Sequence, residues 1–198
     1  DIVDVSLQGS LMKGAKLDAL LRTHLPGDFA ELERPLAVTT TDVESGEEVV
    51  IFEGDLVQAV RASSSFPGAF QPVEIDGRVL ADGGIVNNLP VSAAAFLGAN
   101  YTIASDTTPP RRSSYRDGDV DHNWWERMVA TVRLERRSPM LQMLLRSTDI
   151  MQNLLTDLQH TLHPADVLIR LDMPEFRVES FRDFERIVAL GKESAQAV

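Results

Sequence analysis

Cysteine is missing from all 198 residues. Without a thiol there is no disulfide and no thiolate metal site, and the composition suits a reducing compartment such as the cytoplasm. Long apolar runs are missing as well: no stretch approaches the roughly 20 residues that a membrane-spanning helix requires. Positive charge is scarce. Lys and Arg number 19 against 30 Asp and Glu, a net charge of −11, so nucleic acid is not expected as a partner. The first residues carry no signal-peptide pattern; because the chain opens on Asp1 and not on Met, they bear little on targeting. What is present is ordinary. A hydrophobic share of 43% with 25% charged residues suits a globular domain with a substantial core, and a single domain over 1–198 is expected.

Charge is unevenly distributed. Residues 111–146 hold eight arginines against five acids. A basic, partly amphipathic segment suits peripheral contact with an anionic membrane surface; a solvated helix face accounts for the same pattern, and both readings stay open. In the same region Asp117, Asp119 and Asp121 imitate the start of a calcium loop, but His122 replaces the sixth-position glycine and Met128 the twelfth-position glutamate, so no metal site is expected.

Apolar periodicity predicts a helix over 12–25 with Ser10 as its cap, strands over 35–43 and 48–52, and a short helix over 56–62 capped by Asp55. Asp76-Gly77 between 73–75 and 78–81 is a strong hairpin signal. Pro90 opens a helix that Gly98 ends, a buried strand is predicted at 101–104, a helix at 124–137, a long helix from Pro139, a strand over 166–171 and a last helix from Ser180. The leucine- and methionine-containing stripe of the long helix reads as core more readily than as a lipid groove. Strands and helices alternate through most of the chain, which predicts an α/β fold, a three-layer α/β/α arrangement with a mainly parallel central sheet.

The chain is organised around 61–90. Asp82-Gly83-Gly84 follows a strand-like run directly, and two glycines after an acid let other groups approach it. A lone Asp-Gly-Gly is also an ordinary solvated turn. Upstream, Ser63-Ser64-Ser65 precedes Phe66-Pro67-Gly68. These hydroxyls could line a pocket or satisfy backbone groups in an irregular turn.

Several of these motifs in order resemble the patatin-like phospholipases, in particular the bacterial branch similar to the catalytic domain of neuropathy target esterase. They are Ala62-Ser63-Ser64-Ser65-Phe66-Pro67-Gly68-Ala69-Phe70-Gln71-Pro72-Val73, then Asp82-Gly83-Gly84, then Asn88-Leu89-Pro90. The resemblance continues through 35–42, 99–106 and 166–170. It implies a three-layer α/β/α sandwich with a mainly parallel central sheet, and a phospholipase, lysophospholipase or esterase that uses a Ser-Asp dyad and no histidine. Asp82 matches the dyad acid. Gly83, Gly84, Ser63, Ser64, Pro67 and Gly68 match motif positions around it. The family's G-x-S-x-G nucleophile segment and its glycine-rich oxyanion loop do not occur in these 198 residues. The chain is therefore expected to be the C-terminal portion of such an enzyme. An N-terminal polypeptide would carry the nucleophile, an acyl lipid would be the substrate, and no cofactor or metal would be needed.

A dyad is chemically reasonable. A serine hydroxyl attacks poorly until a base takes its proton. The usual base is histidine, yet His24, His122, His160 and His163 stand outside every motif. A carboxylate within hydrogen-bond distance can do the same work, the better if burial raises its pKa. Two other readings remain: a non-catalytic lipid-binding or regulatory module on the same scaffold, and a structural domain in which Asp82 merely turns the chain.

Overall fold

Where β-branched residues and turn signals alternate, the chain forms short strands joined by tight connections. The structure, a computed structural model, describes residues 14–67, 70–108, 139–171 and 183–198. It divides into two compact units, Asp1–Ala99 and Asn100–Val198.

The first unit is built on a four-stranded sheet with the order β2-β1-β4-β3. Its strands are β1 (Val38–Asp42), β2 (Glu48–Ile51), β3 (Val73–Ile75) and β4 (Arg78–Asp82). Two hairpins supply it. In the second, Asp76 and Gly77 both take positive φ, 51° and 75°, the geometry of a two-residue hairpin turn whose twist matches its strands. β1 and β4 then pair antiparallel, with Thr40 opposite Asp82 and Thr41 opposite Ala81.

Helix α1 (Ala15–His24) and helix α2 (Leu56–Ser63) pack on each other, and α2 also lies against β1, β4 and β3. α2 turns Leu56, Val57, Ala59 and Ala62 inward, none more than 1% exposed. Burial of each Leu- or Val-sized side chain contributes about 1.5–3 kcal/mol. Phe29, Leu56 and Ala59 form a core cluster, with Leu25, Val38 and Ile51 packed against it. The Asp55 carboxylate accepts the Gln58 N–H at 2.9 Å and so caps α2 as the sequence predicts. Asp55→Ala should lower the stability of the chain by about 1 kcal/mol, read as a fall in the urea midpoint at unchanged slope. An unchanged midpoint would mean that α2 is held by its buried face alone. Helix α3 (Val91–Phe96) follows Pro90, one residue later than expected, with Pro90 itself in the cap position.

The second unit pairs β5 (Ile103–Asp106) with β6 (Val167–Arg170) in parallel, Ile103 opposite Val167. Helix α4 (Pro139–Leu162) lies between them in sequence, and helix α5 (Phe184–Gln196) follows. The Asp166 carboxylate accepts the Thr102 N–H at 2.7 Å, closing the start of the pair. β5 is less buried than predicted, with Ile103 66% exposed. In α4 the side chains of Met151, Leu158 and Leu162 are exposed, so these three members of its apolar stripe are not core. Two helix starts differ from expectation: α1 begins at Ala15 with Gly14, not Ser10, in the cap position, and α5 begins at Phe184 with Asp183, not Ser180, in the cap position. The expected helix at 124–137, the calcium-like loop and the arginine-rich stretch up to Pro139 lie outside the described residues.

The α/β class is as expected. The pairing is not mainly parallel: among the described residues three strand pairs are antiparallel and one is parallel. Connection length accounts for two of the three: the short loops at 43–47 and 76–77 can only reverse a strand, giving the β1–β2 and β3–β4 hairpins, and the β1–β4 pair joins these hairpins across α2. β5 and β6 are separated by the long crossover that a parallel pair needs.

Candidate functional site

Asp82 is the last residue of β4. Three segments hold its backbone and side chain. Its N–H donates to the Ser65 carbonyl at 3.1 Å. Its own carbonyl accepts the Thr41 hydroxyl at 2.8 Å. Its carboxylate Oδ1 accepts the Gly84 N–H at 2.8 Å. No other hydrogen bond to the carboxylate is formed among the described residues. The side chain is half-buried. Burial pushes the carboxyl above its ordinary value of 3.8, and the Gly84 N–H only partly offsets this.

The two glycines do different things. Gly83 is buried, and a Cβ there would collide with the Thr39 carbonyl oxygen and come within 2.8 Å of Thr39 Oγ1. A Cβ on Gly84 would stand 3.1 Å from Asp82 Oδ1 and 2.9 Å from Asn88 Oδ1. Gly83 thus lets the chain pass against β1 after the acid, and Gly84 lets its N–H meet the carboxylate.

Behind the turn sits Asn87, 2% exposed. Its N–H donates to the Gly83 carbonyl at 2.9 Å, and Nδ2 donates to Glu48 Oε1 at 2.9 Å and to Ser92 Oγ at 3.3 Å. These bonds tie the turn to β2 and to the first residues of α3.

The serine run does not meet the carboxylate. Ser63 ends α2 half-buried. Ser64 is exposed and donates its hydroxyl to the Val60 carbonyl at 2.8 Å. Ser65 is 1% exposed and donates to the Arg61 carbonyl at 2.8 Å. The hydroxyls of Ser64 and Ser65 thus satisfy the end of α2, and it is the backbone of Ser65 that reaches Asp82. Pro67 is exposed beside this turn; Gly68 lies outside the described residues. The histidine of this unit, His24, is exposed at the end of α1. Among the described residues no cluster of acids and histidines could hold a metal ion, and no helix is long and apolar enough to cross a membrane.

Arg61, Ser65 as a backbone acceptor, Thr41 and Asn87 were not singled out in the sequence. Arg61 carried a signal: it is four residues after Val57 and therefore shares the inward face of α2.

The raised carboxyl fixes a sign for pH dependence. Between 3.8 and its native value, the folded state keeps a proton that the unfolded state has lost. The contribution of Asp82 to stability is therefore fully present below 3.8 and is lost as pH rises through the native value. Asp82→Asn removes this dependence. Urea titrations across that interval should show the variant gaining on the natural chain as pH rises, then a constant gap. The opposite slope would mean that the fold stabilises the ionised form.

Comparison with known proteins gives a consistent picture. The family model described as patatin-like phospholipase matches residues 4–95. An uncharacterised NTE family protein of Mycobacterium bovis is 36% identical over 127 residues, which is 63% of this chain and 35% of that protein. A second one from the same organism is 25% identical over 193 residues, 95% of this chain and 33% of that protein. Patatin-like phospholipase domain-containing protein 7 of Mus musculus is 36% identical over 98 residues, 48% of this chain and 7% of that protein. The matched stretches span about a third of the bacterial relatives' length, and less of the mouse protein's.

Proposed function

Because the chain belongs, through residues 4–95, to the patatin-like phospholipase family, we propose that it is part of a lipid acyl hydrolase in which Asp82 is the base of a Ser-Asp dyad, the serine coming from residues outside this chain. One observation carries the reading. Asp82 is fixed through its backbone on both sides, while its carboxylate is half-buried, held at Oδ1 by a single N–H, and raised in pKa. A turn-forming or ion-paired aspartate would ordinarily have its carboxylate saturated by donors and its pKa lowered, as the Thr102 N–H does for Asp166 in the second unit.

The reaction follows. The carboxylate takes the serine proton as Oγ attacks the ester carbonyl carbon. Backbone N–H groups of a glycine-rich loop, also outside this chain, hold the oxyanion. The C–O bond to the alcohol breaks, the alcohol leaves with the proton from Asp82, and an acyl-serine remains. Water attacks that ester and gives its proton to Asp82; the fatty acid leaves and the serine regains its proton. An acyl lipid is the substrate class, and the chemistry calls for no metal or organic cofactor.

The test has two parts. The coding sequence upstream of Asp1 should encode a strand followed by G-x-S-x-G, and a glycine-rich loop before it. The protein prepared with that segment should hydrolyse a short-chain nitrophenyl ester. If both sequence features are missing and no turnover occurs, the scaffold is a lipid-binding or regulatory module instead.

A further inference from the structure

A buried guanidinium is costly unless its donors are matched, and Arg61, in the last turn of α2, is only 3% exposed. Its Nη1 donates to Ser65 Oγ at 2.6 Å and its Nη2 to the Gln71 carbonyl at 3.4 Å. Nε lies 3.5 Å from Asp18 Oδ1 on α1, and the guanidinium carbon stands 4.9 Å from the centre of the Phe70 ring. The lack of a side chain at Gly14 makes room for it, since a Cβ there would overlap the guanidinium. Arg61 thus joins the start of α1, the end of α2, and the chain on both sides of the turn after α2.

That turn matters because it reaches the candidate acid. Ser65 is clamped by Arg61 twice, accepting from its guanidinium and donating to its carbonyl. The Ser65 carbonyl then receives the Asp82 N–H. The charge of Arg61 does not itself act on the carboxylate: burial and the Gly84 N–H are what move Asp82, and no charged side chain among the described residues bonds to it. Any influence therefore passes through the backbone.

We propose that Arg61 is a positioning residue for Asp82. Through Ser65 it holds the turn after α2 against the end of β4, so that the acid keeps one orientation and stays partly shielded from water. The shielding arm of this inference stands without the dyad; only its kinetic arm rests on the proposed function.

The experiment is a carbon-13 NMR titration of the Asp82 carboxyl in this chain, for the natural sequence and for Arg61→Gln, Arg61→Lys, Ser65→Ala and Leu56→Ala. The last removes core packing without touching the Arg61–Ser65 pair. In the natural chain the midpoint should lie above 3.8. Arg61→Gln should shift it down towards 3.8 as water reaches the carboxylate, and Arg61→Lys should restore part of the shift. Ser65→Ala, which deletes only the hydroxyl link, should shift it down too and keeps the test usable if Arg61→Gln does not fold. Leu56→Ala should leave the midpoint in place. In the protein with its nucleophile, Arg61→Gln should lower kcat by about 10- to 100-fold with little change in KM. An unmoved midpoint in the folded Arg61 and Ser65 variants, or an equal shift in Leu56→Ala, overturns the proposal. If Asp82→Asn keeps its activity while the Arg61 shifts appear, the dyad fails and the positioning stands.

Discussion

Asp82→Asn in the nucleophile-bearing protein is expected to lower kcat for a nitrophenyl ester by about 10²- to 10⁴-fold, with KM little changed and a cooperative unfolding transition retained. The amide matches the carboxylate in shape and its oxygen can still accept the Gly84 N–H, now 2.8 Å from Oδ1. The bonds from Thr41 and to Ser65 involve only the main chain of residue 82, so the fold has no reason to fail. What disappears is basicity. Among the described residues of this unit no histidine bonds to the carboxylate, and its one histidine, His24, is exposed at the end of α1. The raised carboxyl adds a second readout: the acid limb of kcat/KM for the natural protein should fall above 3.8, since the base must first lose its proton. A variant that keeps most of its rate would falsify the assignment of Asp82 as the base.

Gly83→Ala should be a strongly damaging single-methyl change in the first unit. The new Cβ would stand 2.6 Å from the Thr39 carbonyl carbon and closer still to its oxygen. Neither side can give way readily, because Thr39 is paired with Val50 within β1 and the Gly83 carbonyl receives both the Val86 and the Asn87 N–H. Forced overlap of this kind destabilises by about 1–3 kcal/mol, measurable as a lower denaturant midpoint. Activity should fall further than stability, since the backbone that aims the acid is displaced. A midpoint equal to that of the natural chain would mean that β1 and the turn can separate freely, and the tight placement of Asp82 described above would be wrong.

Local features were legible because local chemistry determines them. Asp55 caps α2, Asp76-Gly77 turns the second hairpin, and Asp82 ends a strand, each as its immediate neighbours dictate. Motif order singled out Asp82 as the candidate acid, which no pattern of periodicity could supply. The sense of strand pairing was misread because alternation of strands and helices says nothing about which strands meet; the short connections at 43–47 and 76–77 were the better guide. Ser63, Ser64 and Ser65 were ambiguous for a similar reason. Whether a hydroxyl faces a pocket or bonds back to a helix carbonyl depends on where that helix ends, and α2 ends one residue further on than its apolar pattern suggests. Arg61 escaped notice because a charged residue on an inward face is read as solvated unless its partners are known, and those partners come from α1 and from beyond the turn.

The sheet order has a kinetic consequence. β1 with β2, and β3 with β4, are neighbours in sequence, and hairpins of this kind form in about 1–10 μs. The seam between β1 and β4 is different: it joins Thr40 to Asp82 across the whole of α2 and the turn behind it, and such non-local closure is the slow event in small domains. The candidate acid lies on that seam. Until the two hairpins have docked, Asp82 has neither the Thr41 hydroxyl nor the shelter that raises its pKa, so proton uptake by this one carboxylate is a clock for the docking step.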